Sequence, residues 1–260
     1  MKGLALVIGN SEYQFAGSKL KNPKNDAEDF SEVLKRLGYQ VNTYTDIDTK
    51  TLDIKISSFG KQLDNFDIGI FYFAGHGMQI GGENFITAVD SNFNTEVDAK
   101  FSSVSLNKVL AYMEKAKNDS SIVILDACRN NPFERSWNRS LSEKGLAPMF
   151  APKGTLIAYA TSPGETASDG SGRNGLYTKA LLEHIEDENV EIENFFKRVR
   201  NSVYAFSSGK QTSWEHTSLT GSFQFNSGQL IHALGTPYST DAIVDKDFNL
   251  NNSDPVTKIN

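Results

Sequence analysis

Two residues in this chain are suited to covalent chemistry by type and setting. Cys128 is the only cysteine among 260 residues, and His76 lies 52 positions before it, between Gly75 and Gly77. A thiol attacks a carbonyl as the thiolate; a neighbouring imidazole takes its proton and later returns one to the leaving amine. Glycines beside the histidine let a substrate carbonyl approach the backbone, whose N–H groups then stabilise an oxyanion. Each residue also has an inert reading, as a small buried thiol and a hydrogen-bonded loop histidine. Which reading holds depends on whether the fold brings the two together.

Four short, nearly unbroken apolar runs cover residues 4–8, 68–74, 121–125 and 155–160. Continuous rather than alternating apolarity predicts strands buried on both faces, as in a parallel sheet between helix layers. Helical periodicity joins Ala27, Phe30, Val33, Leu34 and Leu37 behind Pro23, then Leu106, Val109, Leu110 and Met113. Tyr177, Ala180, Leu181 and His184 form a third face, and Ile192, Phe195, Phe196, Val199 and Val203 a fourth. Residues 39–45 and 222–225 read as further strands, and 52–63 as a weaker helix. The expectation is an α/β fold with a mostly parallel sheet of about six strands, flanked by helices on both faces.

Sites in such sheets gather at the carboxyl ends of the strands. Following each run there, one meets Gly9-Asn10, Gly75-His76-Gly77, Asp126-Ala127-Cys128-Arg129, and Thr161-Ser162 before Gly164-Glu165. The cysteine and the histidine therefore fall on the same edge of one sheet.

Composition narrows the function classes. A net charge of −6, from 26 basic and 32 acidic residues with no Lys/Arg-rich run, argues against a nucleic-acid partner. A single cysteine excludes an intramolecular disulfide framework and a multi-cysteine zinc site. His184 reads as packed core, and His216 and His232 lack ligand spacing, so no metal is expected. No cofactor is expected either: a complete Gly-rich nucleotide fingerprint is absent, and Gly81-Gly82 reads as a hairpin turn. Gly-x-Ser-x-Gly is absent, which disfavours a serine hydrolase. No apolar stretch reaches the roughly 18–20 residues of a membrane span, and the N-terminus lacks a signal-peptide core, so a cytoplasmic chain without membrane contact is expected. With 17 Phe, 9 Tyr and 2 Trp there is material for a large core, assigned to a domain over 1–225. Residues 226–260 shift to Asn, Ser, Thr and Asp and read as a polar tail or linker, beyond which a partner domain or activator protein has room. The connection 129–153 is long and polar, and carries Arg135, Arg139 and Lys144.

These residues resemble the caspase-like cysteine peptidases. A histidine about 50 residues before the cysteine fits the caspase pattern. Phe71-Tyr72-Phe73-Ala74-Gly75-His76-Gly77 looks like the family's histidine motif, and Ile124-Leu125-Asp126-Ala127-Cys128-Arg129-Asn130-Asn131-Pro132-Phe133 like the cysteine motif of bacterial members. Leu6-Val7-Ile8-Gly9-Asn10, Leu20-Lys21-Asn22-Pro23-Lys24-Asn25-Asp26-Ala27 and Ala158-Tyr159-Ala160-Thr161-Ser162 match in order, so the resemblance spans about residues 2–225. Animal caspases carry Gln where Asp126 stands and Gly where Asn130 stands; Asp-x-Cys-Arg is closer to paracaspases and their bacterial relatives, including metacaspase-like members. No calcium-site motif is matched.

The resemblance implies a His76–Cys128 dyad, an oxyanion hole from the N–H groups of Gly77 and Cys128, and a pocket (S1) for a basic residue before the scissile bond (P1). Asp26 matches a paracaspase pocket aspartate. Asp126, two residues before the cysteine on one strand, and Glu165, in the loop after another, complete the expected S1 site. The expected activity is cleavage of protein or peptide substrates after Arg, then Lys, with self-cleavage at Arg135, Arg139 or Lys144 in the exposed connection. The alternative is a caspase-fold binding or scaffolding module without proteolysis.

Overall fold

The computed structural model describes residues 1–15, 17–116, 118–128, 146–162, 165 and 172–228, with Cys128 through its backbone. The apolar runs become strands β1 (Gly3–Gly9), β3 (Ile68–Ile80), β6 (Ser120–Cys128) and β7 (Thr155–Tyr159), with β2 (Gln40–Thr45) on one flank. Across the sheet the order is β2-β1-β3-β6-β7-β8, where β8 is Trp214–Thr217. The first five are parallel, and β8 closes the edge antiparallel to β7. Two short strands, β4 (Glu83–Ile86) and β5 (Val104–Ser105), hang from the far end of β3 and bring the described total to eight. The expected α/β sheet is present.

Its core has two layers because the central strands bury both faces. Ala5, Val7, Ile70, Tyr72, Ile122, Ile124, Leu156 and Ala158 face α1 (Pro23–Arg36), α5 (Leu176–His184) and α6 (Ile192–Phe206). The alternate residues Leu4, Leu6, Ile8, Phe71, Phe73, Val123, Leu125 and Ile157 face α2 (Thr49–Gln62) and α4 (Leu106–Ala116). A short helix, α3 (Glu96–Phe101), precedes β5. Gly81-Gly82 turns the β3–β4 hairpin with φ of 58° and 78°, as a two-residue loop of the primed type requires. Among the described residues no helix is long and apolar enough to cross a membrane.

One strand is misplaced by the sequence reading. Residues 222–225 alternate apolar and polar, yet they pair with no strand. Phe223 and Phe225 plug the α6 layer, edge-on to one another at 5.1 Å, with Phe225 also against Phe195. The Ile192 and Asn189 N–H groups donate to the carbonyls of Phe223 and Asn226, so this backbone is satisfied by the start of α6 rather than by a ladder. Trp214–Thr217 takes the edge instead, with a burial too shallow to print an apolar run.

The close seat of α1 on β1 rests on Gly9. A Cβ there would lie 2.1 Å from the Pro23 carbonyl oxygen and 2.7 Å from the Ala27 Cβ. Gly9→Ala is expected to destabilise the domain by about 1–3 kcal/mol through overpacking. The check is a lower urea midpoint at unchanged m-value; an unchanged midpoint would show that α1 yields without cost.

Candidate active site

His76 is held from three sides by the loop that follows β1. Asn10, fully buried, starts that loop: its N–H donates to the Ala74 carbonyl, its side chain donates to the Thr87 carbonyl and accepts from the Ile47 N–H. The Asp46 carboxylate accepts the N–H groups of Ser11 and Glu12 at 2.7 and 2.9 Å. These bonds present Tyr13 and Ser18 to the histidine. The His76 N–H donates to Tyr13 Oη at 2.8 Å, and the Tyr13 ring packs 4.5 Å from the imidazole. Nε2 lies 2.7 Å from the Ser18 carbonyl oxygen, which can only accept, so Nε2 carries hydrogen and the neutral ring keeps its lone pair on Nδ1. Gly75 makes room for this support. A Cβ on Gly75, at φ 153°, would meet Tyr13 Oη at 2.6 Å.

The β3–β6 register sets His76 beside Cys128 as its last pair. Gly75 lies inside that pairing, opposite Ala127, whereas Gly77 lies one residue past its end. The His76 carbonyl accepts from the Thr87 N–H, so His76 faces β4 and the next residue turns the other way. Gly77 therefore directs its N–H toward the β6 side, beyond Cys128. The two glycines differ in role: one clears space for Tyr13, the other presents a backbone donor.

Asp26 and Asp126 meet on the α1/α5 face. Both place a carboxylate oxygen near the bare Cα of Gly175, at 3.3 and 3.4 Å from where its Cβ would be. Asp26, on the first turn of α1, is only 2% exposed. A solvated carboxylate favoured by the helix dipole is thus not what the structure holds. Asp26 accepts the Gly175 N–H at 3.0 Å. Burial foremost, then the Asp126 charge, pushes Asp26 up to about 8, against the pull of the Gly175 and Asn174 donors. Asp126, half-buried, accepts from Thr178 Oγ at 2.6 Å. The loop before α5 is tied to α1: Arg173 grips Asp29 bidentately at 2.8 and 2.9 Å, Asn174 donates to the same carboxylate, and Asn25 donates to the Arg173 carbonyl.

Glu165 lies exposed in the loop after β7, its N–H on the Ser162 carbonyl. Arg135, Arg139 and Lys144 lie outside the described residues, as does His232. His184 is half-buried and links α5 to α6 through Ser202 Oγ at 2.9 Å. Tyr13, Ser18, Thr178 and Gly175 are site residues that sequence reasoning missed; only Asn10, at a strand end, carried a signal. Among the described residues no group of three or more His, Cys, Asp or Glu is arranged to hold a metal ion.

A family model described as the caspase domain matches residues 2–224. The mucosa-associated lymphoid tissue lymphoma translocation protein 1 of Homo sapiens is 26% identical over 196 residues, covering 73% of this chain and 22% of that protein. A "probable protease" of a Desulfuromonadales bacterium is 26% identical over 248 residues, covering 78% of this chain and 30% of its own length. The chain thus spans less than a third of these curated relatives. Among solved structures, caspase-1 from Spodoptera frugiperda shares the fold with a TM-score of 0.66 at 17% identity, covering 86% of this chain and 90% of that one.

The acid pair has a consequence for stability. The folded chain holds the Asp26 proton up to about pH 8, while the unfolded chain releases it near 3.8. Between those values the folded state binds more protons, so stability falls as pH rises and levels off above about 8. Asp26→Asn is expected to raise Tm, by an increment that grows across that window, with about 2–4 °C for each kcal/mol recovered. Thermal unfolding at several pH values checks this; a lower Tm throughout would mean that the Gly175 and Asn174 bonds outweigh the burial.

Proposed function

The chain belongs to the caspase domain family, and on that premise we propose that it is a cysteine endopeptidase that cleaves after Arg and, less readily, after Lys. The observation that carries the reading is the register of His76 with Cys128 at the end of β3 and β6. The Ser18 carbonyl holds the imidazole in the tautomer whose Nδ1 is basic. His76 Nδ1 takes the Cys128 proton, and the thiolate attacks the scissile carbonyl carbon. The C=O electrons move to oxygen, where the N–H groups of Gly77 and Cys128 receive the oxyanion. As the tetrahedral species collapses, the His76 imidazolium gives its proton to the leaving amine. Water, deprotonated by the same nitrogen, then hydrolyses the acyl-enzyme.

Specificity in this reading comes from Asp26 and Asp126. A guanidinium offers several donors in a planar fork and suits paired carboxylates in a desolvated pocket better than an ammonium does. Glu165 acts from the rim of that pocket. An aspartate side chain entering it meets two acids and is rejected. Self-processing after Arg135, Arg139 or Lys144 belongs to the same reading.

A fluorogenic peptide series differing only at P1 tests it. Cleavage is expected after Arg, more slowly after Lys and not after Asp. Cys128→Ala is expected to abolish turnover and His76→Ala to lower it about 10²–10⁴-fold. Asp126→Ala is expected to cost more than Glu165→Ala. Intact mass should show a cut between residues 129 and 153 in active protein only. Preferred cleavage after Asp or apolar residues would overturn the pocket assignment, and undiminished cleavage by Cys128→Ala would overturn the mechanism.

A further inference from the structure

Thr178 stands between a buried phenol and the acid pair. Tyr72 Oη and Thr178 Oγ are 2.6 Å apart, and Thr178 Oγ donates to Asp126 Oδ2, also at 2.6 Å. A threonine hydroxyl has one hydrogen, so spending it on Asp126 obliges it to accept from Tyr72. Burial and the two nearby aspartates hold the Tyr72 phenol well above its usual range, so it stays a donor. The chain Tyr72–Thr178–Asp126 therefore runs in one direction and ends on a carboxylate, the polarity that a charge-assisted bond requires. Among the described residues no hydroxyl donates to Asp26. It accepts from the Gly175 N–H and from Asn174, deeper in the protein.

We propose that Thr178 is a positioning residue for the charge of the specificity pocket: its hydroxyl, supplied by Tyr72, fixes Asp126 as the ionised acid and leaves Asp26 to hold the proton of the pair. The inference deepens the peptidase reading and rests on it. Two carboxylates this close do not both stay ionised without a cation between them. An empty pocket therefore carries one negative charge. An arriving arginine side chain supplies the cation, Asp26 gives its proton to solvent, and the pocket then meets the guanidinium with both acids ionised. Among the described residues, the other charged or titratable groups that act on the pair are Asp29 on α1, Tyr177 on α5 and Arg173 in the preceding loop; Arg200 on α6 acts on Tyr177. Beyond them His76 and Cys128 close the strand ends.

Calorimetric titration of the full chain carrying Cys128→Ala with an uncleaved peptide that has Arg at P1, in buffers of different ionisation enthalpy, reads affinity and proton release together. In that background about one proton should leave per peptide bound at pH 7, with the release fading above about pH 8. Thr178→Val removes the donor to the charged acid, so affinity should fall about 10–100-fold and the fading of proton release should move to higher pH. Thr178→Ser should restore both. Tyr72→Phe, which keeps the threonine, should shift both in the same direction by less, and guards against a valine variant that fails to fold. Tight binding without proton release, a Thr178→Val profile like the parent, or a serine variant that fails to rescue would overturn the inference while leaving the peptidase reading intact. No binding of the Arg peptide by the Cys128→Ala parent would remove the basic pocket, and this inference with it.

Discussion

The parallel pairing of β3 with β6 is the constraint on which the site depends. Nine consecutive residue pairs run from Ile68 opposite Ser120 to His76 opposite Cys128. A slip of one residue would exchange the two faces of β6, sending Ile122 and Ile124 to the α2/α4 layer and Asp126 away from α1. The hydrophobic alternation of the core and the meeting of the catalytic candidates are thus one fact. Two core layers of branched and aromatic side chains enforce a register that no polar interaction at the strand ends could hold alone.

Much of this was legible because burial on both faces leaves a plain mark in sequence. The runs at 4–8, 68–74, 121–125 and 155–160 became strands, and the residues just past them became the site edge. What stayed hidden was held by loops and by tertiary burial. Tyr13 and Ser18 have no periodicity, and their hold on His76 is made by a side-chain hydroxyl that accepts its backbone N–H and by a backbone carbonyl, neither of which any motif records. Asp26 sits where helix-dipole reasoning is content with a solvated acid; its burial follows from Gly175, 149 positions away, closing over it. At 222–225 a period of two reflected aromatic plugging rather than a ladder, while the true edge strand, Trp214–Thr217, shows no apolar pattern because none of its four residues is buried.

The two clusters at the strand ends are built by opposite means. The described contacts that hold His76 are neutral: a phenol, a backbone carbonyl and a ring face. They set direction and tautomer without adding charge. The acid pair, by contrast, concentrates charge that the fold must tolerate. Its burial opposes folding, and the compensation lies in the donors of Gly175, Asn174 and Thr178 and in the packed layers behind them. In the proposed reading, such a cost is retained because the repulsion is relieved when a basic side chain arrives.

The Arg173–Asp29 grip and the acid pair beside it differ in their access to solvent. Arg173 is 59% exposed at its side chain and Asp29 28%, so their attraction works beside solvent and weakens as salt is added. Asp26 and Asp126 lie where mobile ions penetrate poorly. Ionic strength consequently acts on the two parts unequally: added salt weakens the surface ion pair more than it weakens the interaction between the more buried acids.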